Sequence, residues 1–188
     1  MYTIYTGELV RIRPYQSLEE FNDTVNLSMQ EPNDHWGPWY WPQGSREKDF
    51  KSAGMLEPTK YSQFAVERLD TGECVGTEEH GGLKPGELST WLGTEIHRPH
   101  WSNGFGIEAK KMMLCYLFEN FPLDSVRADT CGHHKRAWAG LEAIGMTYFG
   151  SFKGVHYAQG VLYDIPQFVI FREQWEAMDY RHTVKRGN

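Results

Sequence analysis

One stretch near the middle of the chain limits the fold more than any other. Trp101-Ser102-Asn103-Gly104-Phe105-Gly106-Ile107-Glu108-Ala109 follows an apolar, strand-like run over 88–93 and opens a helical pattern over 107–120. The order strand, glycine-containing loop, helix points to a mixed α/β chain. Glycine lets the backbone turn at φ values that a Cβ forbids and approach a ligand closely. The first N–H groups of the helix have no intrahelical acceptors and lie at the positive end of its dipole. Together these features make a seat for a phosphate or pyrophosphate. The plain alternative is a connection with two turn glycines. Gly104-x-Gly106-x-x-Ala109 also fits the dinucleotide fingerprint. That motif belongs in the first βα turn of its domain, whereas about half of this chain precedes it, and Pro99 lies just ahead of the loop.

Length and charge bound the rest. At 188 residues the chain reads as one domain over 1–178 with a polar, frayed tail over 179–188. A net charge of −6 supplies no basic field for nucleic acid. An anionic cofactor would then depend on local backbone dipoles. Cys74, Cys115 and Cys131 are widely spaced, without a C-x-x-C pair, and read as small core residues rather than metal ligands. The first seven residues lack the pattern of a signal peptide. No run approaches the length of a membrane span. A cytoplasmic protein with no metal is expected.

Along the chain, residues 8–14 alternate apolar and charged side chains and read as a strand. Ser17-Leu18-Glu19-Glu20 is a capping box opening a helix to about Met29, with Phe21 and Val25 inward. Residues 31–44 hold prolines 32, 38 and 42 and cannot form regular structure. Trp36, Trp39, Tyr40 and Trp41 in this loop either roof the core as a satellite cluster or form one wall of a substrate site. Ser45 is read as the N-cap of a helix over 46–56. Strands are expected over 63–69 and 74–79, joined by the Asp70-Thr71-Gly72-Glu73 turn. A further strand over 123–129, a helix from 132 to Gly145, and two strands over 146–155 and 162–171 complete the pattern.

The central loop resembles the acyl-CoA pyrophosphate loop of the GNAT (GCN5-related) N-acetyltransferases, Q/R-x-x-G-x-G/A. It is most similar to the branch containing the RimJ/RimL-type ribosomal-protein N-terminal acetyltransferases, which often reads Trp-x-x-Gly-Tyr-x-x-Glu-Ala. Leu141-Glu142-Ala143-Ile144-Gly145-Met146 and the closing Asp164, Phe168, Glu173 and Trp175 fit the same branch. The resemblance covers roughly residues 8–178. It implies a GNAT fold: a mixed, mostly antiparallel central sheet with splayed central strands and helices on both faces. One departure stands out. Between Trp91-Leu92-Gly93 and Arg98-Pro99-His100-Trp101 the chain carries Thr94, Glu95, Ile96 and His97, about four residues more than relatives commonly have.

The resemblance also implies the chemistry: transfer of an acetyl group from acetyl-CoA, the co-substrate, to an amine by direct attack. The pyrophosphate contacts fall on Trp101, Ser102, Asn103, Gly104, Phe105 and Gly106, and the pantetheine contacts on the strand at Thr94 and Ile96. His134 and Ala137 stand where the family has Asn-x-x-Ser, so His134 takes the cofactor hydrogen bond. The family's frequent tyrosine acid has no counterpart in that helix. Trp36, Trp39, Tyr40, Trp41 and Glu79 are candidates for the acceptor side. An amine attacks a thioester only when unprotonated, so a base is needed. Candidates are Glu79, Glu95, His97, His100 and His134, with Glu95 preferred because it follows the central strand. Histidine titrates near neutrality unaided, while glutamate needs burial to raise its pKa. The expected partners are acyl-CoA and an amine, without nucleic acid or membrane, and by analogy a second copy in a homodimer. Two other readings stay open at this point: a non-catalytic acyl-CoA-binding module, and a nicotinamide-dependent oxidoreductase resting on the glycine loop alone.

Overall fold

The computed structural model describes residues 4–30, 41–158 and 160–187. Among them the order is β1 (Ile4–Thr6), β2 (Val10–Arg13), α1 (Leu18–Gln30), α2 (Gln43–Ala53), β3 (Leu56–Glu57), β4 (Tyr61–Arg68), β5 (Cys74–Gly81) and β6 (Ser89–Ile96). Then come α3 (Phe105–Asn120), β7 (Ser125–Asp129), α4 (Lys135–Glu142), β8 (Thr147–Ala158), β9 (Val161–Phe171), α5 (Arg172–Glu176) and β10 (Lys185–Gly187). Short 3-10 turns occupy Arg98–His100 and Asp179–His182.

The strands form one ten-stranded sheet in the order β10-β1-β2-β4-β5-β6-β7-β9-β8, with β3 paired beside β4. All pairings are antiparallel except β6 with β7. Side chains alternate across a strand, and β4 shows what that does here. Phe64 and Val66 join the main core with Met112, Met113 and Leu117 of α3, while Ala65 joins Phe21 and Val25 of α1. Both faces of the central sheet are therefore covered by helices, as the GNAT-like reading requires. The α3 face is the larger, because that helix buries nine side chains from Phe105 to Phe118.

Local signals explain most boundaries. The Ser17 hydroxyl accepts from the Glu20 N–H at 3.1 Å, as the capping box demands. The return bond differs: the Glu20 carboxylate accepts from the Gln16 N–H and from Arg13. α2 starts earlier than Ser45 implied. The Pro42 carbonyl takes the N–H groups of both Ser45 and Arg46, and Gly54 closes the helix at φ 58. A proline presets the entry φ and its carbonyl serves as well as any other, so the serine side chain was not needed. The extra residues before the loop are not a loop insertion. Thr94, Glu95 and Ile96 extend β6 and pair with Glu78, Thr77 and Gly76 of β5. The tail expected to fray is also corrected: β10 pairs with β1, Ile4 opposite Gly187 and Thr6 opposite Lys185. No described helix is long and apolar enough to cross a membrane.

Candidate active site

The site exists because two strands part. β6 and β7 run side by side only from Ser89 to Trp91, opposite Ser125 to Arg127. Beyond that point β7 continues along β9 through Asp129, and no described strand borders the second edge of β6. A cleft of about 880 Å³ opens there, between residues 92–96 of β6, residues 128–130 at the end of β7, the loop before α3, and the start of α4.

The loop is fixed by its own contacts. The Trp101 indole N–H donates to the Ile96 carbonyl, and the Asn103 amide donates to the carbonyls of His100 and Trp101. Ser102 and Gly104 have φ of 64° and 84°, in the left-handed region. The first helical hydrogen bonds run from Ile107 and Glu108 to the Gly104 carbonyl. The N–H groups of Phe105 and Gly106 thus precede the helical ladder, at the positive end of α3. Three cations gather around them. The Arg136 guanidinium stacks 3.5 Å from the Trp101 ring centroid, Arg98 lies 5.6 Å from the same ring, and the Lys110 ammonium donates to the Gly106 carbonyl at 3.2 Å. Burial, and then the charge of Arg98, lower the pKa of Arg136. Like charges held this close favour an anion between them.

Across the sheet, register decides which acids share a face. Cross-strand partners Gln63, Glu79 and Gly93, and likewise Ala65, Thr77 and Glu95, lie in rows on the α1 side. Glu79 accepts from the Tyr61 hydroxyl and, at 3.2 Å, from the Gln63 amide. Burial raises its pKa, and these two bonds only partly offset that effect. Gly93 leaves the room it needs, since a Cβ there would come within 2.6 Å of Glu79 Oε1. Thr77 and Tyr15 hydroxyls bond at 2.8 Å on the same face. At the far wall the Thr130 hydroxyl is buried and has no partner among the described residues.

The residues singled out in the sequence sort as follows. Thr94, Glu95, Ile96, His134, Glu79 and every residue from Trp101 to Gly106 line the cleft, and so does His100. His97 does not: it is buried, and its N–H is held by the Val75 carbonyl, which turns the chain out of β6. Trp41 packs edge-on against Phe21 at 5.5 Å in the satellite cluster and lies outside the cleft. Trp36, Trp39 and Tyr40 lie outside the described residues. Lys110, Thr130 and Arg136, which line the cleft, and Tyr61 and Gln63, which hold Glu79 from behind it, were missed. No local motif marks them; only the sheet register and the packing of α3 and α4 bring them to the site. No group of three or more His, Cys, Asp or Glu among the described residues has the arrangement of a metal site.

Known proteins share this architecture. An Acetyltransferase (GNAT) domain model matches residues 10–147. The uncharacterized N-acetyltransferase YoaA of Bacillus subtilis is 25% identical over 120 residues, covering 64% of this chain and 68% of that protein. Mycobacterium smegmatis RimJ, in complex with CoA-disulfide, superposes with a TM-score of 0.80 at 18% identity, covering 97% of this chain and 92% of RimJ. Spermidine N-acetyltransferase from Vibrio cholerae, in complex with CoA and spermine, gives a TM-score of 0.75 at 16% identity over 89% of this chain and 98% of its own. With the splayed strands and glycine loop in place, the match over most of the chain settles the family: this protein belongs to the GNAT acetyltransferases.

Proposed function

We propose that the protein transfers an acetyl group from acetyl-CoA to a primary amine, either a protein N-terminus or a small-molecule amine. The observation that carries this reading is the division of the cleft. A cationic, glycine-lined end sits at α3, and an acidic wall of Glu79 and Glu95 sits on the α1 side. In this reading the loop from Trp101 to Gly106 holds the pyrophosphate, with Arg136 and His134 beside it. The edge of β6 at Thr94 and Ile96 takes the pantetheine. In the same reading the Thr130 hydroxyl, which lines the cleft without a partner among the described residues, donates toward the developing oxyanion.

Glu79 and Glu95 divide the work on the acceptor. An incoming ammonium is drawn to a carboxylate pair, and one carboxylate must accept its proton before the nitrogen attacks the thioester carbon. Glu79 is the better-built base, because Tyr61 and Gln63 fix its orientation and burial raises its affinity for a proton. Glu95 holds the ammonium. The nitrogen adds to the carbonyl carbon and the carbon–sulfur bond breaks; the nitrogen sheds its second proton to give the amide, and that proton converts the departing thiolate to the CoA thiol. A cytoplasmic setting and a homodimer belong to the same proposal; β8 ends the sheet and leaves Phe152 and Tyr157 exposed, where a second copy would cover them.

The test is amine-dependent release of CoA thiol from acetyl-CoA, measured against basic peptides with free N-termini, polyamines and aminoglycosides. Turnover with any of these, lost in Glu79→Gln, supports the reading. Tight acetyl-CoA binding with no thiol release from any amine would leave an acyl-CoA-binding module instead.

A further inference from the structure

The mechanism leaves two opposite charges beneath the loop unused, Glu78 and Lys110, each of which bears on the other's ionisation. Glu78 is next to Glu79 on β5, so its side chain points to the opposite face, toward α3. It is fully buried, and neither carboxylate oxygen has a hydrogen-bond partner among the described residues. Lys110 sits one turn into α3. Long helical side chains lean toward the helix N-terminus, and Lys110 does so, reaching the Gly106 carbonyl at 3.2 Å. A Cβ on Gly106 would lie 3.7 Å from Lys110 Nζ and 3.9 Å from Thr94 Cγ2, so all three meet directly under the loop. Lys110 and Thr94 line the cleft, and the Thr94 hydroxyl is buried without a partner.

This placement breaks a local rule. A cation at the positive end of a helix is disfavoured, and burial and the charge of Arg136 disfavour it further. Glu78 is the counter-charge, yet burial and the neighbouring Glu79 disfavour its ionised form too. Two opposite charges taken out of water cost more than they return unless geometry and hydrogen bonds are excellent, and here no direct bond joins the Glu78 carboxylate to the Lys110 ammonium, which is turned to the Gly106 carbonyl instead. An anion at the loop changes the balance, because it can neutralise Lys110 from the cleft side.

We propose that the buried Glu78 and the cleft-lining Lys110 form a proton-exchange pair beneath the glycine loop, so that binding of an anionic cofactor there takes a proton from solvent onto Glu78. The step balances simply. The ligand's negative charge replaces the carboxylate as partner of the Lys110 ammonium, and the carboxylate plus one proton becomes a neutral carboxyl. Burial raises the Glu78 carboxyl to about 8, against the pull of Lys110 and Thr94. Uptake therefore shows above that pH and fades below it. The other groups that bear on the pair are Glu79 on β5, Arg136 on α4, Arg98 beside Arg136, and His80 farther along the same face of β5, which burial holds neutral with a pKa of about 4. The inference rests on the reading that the loop holds an anionic cofactor.

The experiment is calorimetric titration of the full chain with CoA, and separately with inorganic pyrophosphate, at pH 8.5 in two buffers of different ionisation enthalpy. Wild type is expected to take up about half a proton or more per ligand. The uptake should shrink at pH 6.5 and vanish in Glu78→Gln and Lys110→Met. Both variants are close in size to the native residues, and circular dichroism verifies their fold. CoA binding with equal proton counts in wild type and both variants overturns the inference and leaves the cofactor reading intact. Pyrophosphate binding with uptake, but no CoA binding, does the reverse. Failure of both ligands to bind overturns both.

Discussion

A single position separates Glu78 from Glu79, and it decides their chemistry. One faces α3 and Lys110; the other faces α1 with Tyr61 and Gln63. A sequence shows two adjacent acids and nothing more, because the face each takes follows from strand register, and a one-residue slip would exchange them. The glycine loop was legible for the opposite reason: Trp101, Gly104 and Gly106 act within one short segment, so their spacing carries their geometry. The histidines split the same way. His100 reaches the cleft and His97 does not, because a 3-10 turn starts between them. At this scale the account predicts that Glu79→Gln lowers kcat by roughly 10²- to 10⁴-fold. Wild-type kcat/KM should rise with pH as Glu79 loses its proton, above the usual carboxylate range, since burial raises its pKa. That limb should be absent in the variant. A pH–rate profile of both proteins checks it, and an unchanged limb in Glu79→Gln would assign the base elsewhere.

Elements are held in place by side chains that the family motif contains for another apparent purpose. Glu108 looks like part of the cofactor loop, yet its carboxylate accepts the N–H groups of Glu8, Leu9 and Val10 at 2.7–2.8 Å. It pins the β1–β2 turn to the first turn of α3. A Cβ at Gly7 would overlap that carboxylate and push it off its three N–H partners. A carboxylate in the first helical turn also suits the dipole. Hydrogen bonds to a charged group are worth about 1.5–3 kcal/mol each where desolvated; these are partly exposed, so Glu108→Ala should cost about 2–4 kcal/mol in all. Chemical denaturation measures this, and a loss below about 0.5 kcal/mol would show the tie to be incidental. β2, the strands from β4 to β9 and the helices α1 to α4 were legible from sequence pattern, whereas the short β1, β3 and β10 were not. The exceptions are local: Pro42 outcompeted Ser45 as the start of α2, and β6 absorbed Thr94, Glu95 and Ile96. In the second case the sequence shows extra residues, and only pairing with β5 tells a longer strand from a longer loop.

The whole molecule depends on both ends of the chain and on its buried titratable groups. β10 completes the sheet beside β1, which periodicity alone did not reveal because Lys185, Arg186 and Gly187 carry no strand signal. Truncation after residue 178 should therefore lower the melting temperature and expose the β1 amides to hydrogen exchange; unchanged protection would show β10 to be dispensable. Buried Glu78 and His80 set opposing pH slopes. With the Glu78 carboxyl at about 8, the native state keeps a proton that the unfolded chain loses near pH 4.3. Its contribution to stability is full below about 4.3 and falls as pH rises to about 8. His80, with a pKa of about 4 from burial, acts the other way. The unfolded chain binds a proton below about 6.5 that the native state refuses, so stability rises with pH between those values. The melting temperature of Glu78→Gln relative to wild type should accordingly rise from pH 5 to pH 9; a constant difference would contradict the buried acid.

The most direct measurement is calorimetric titration of wild type and Gly104→Val with acetyl-CoA. Gly104 has φ 84, and a β-branched residue forced into that conformation costs on the order of 1–3 kcal/mol while crowding the ligand's approach. The account predicts clear binding to wild type and a loss of about tenfold or more in the variant. Equal affinity in both proteins, or none in wild type, would contradict a cofactor seated on this loop.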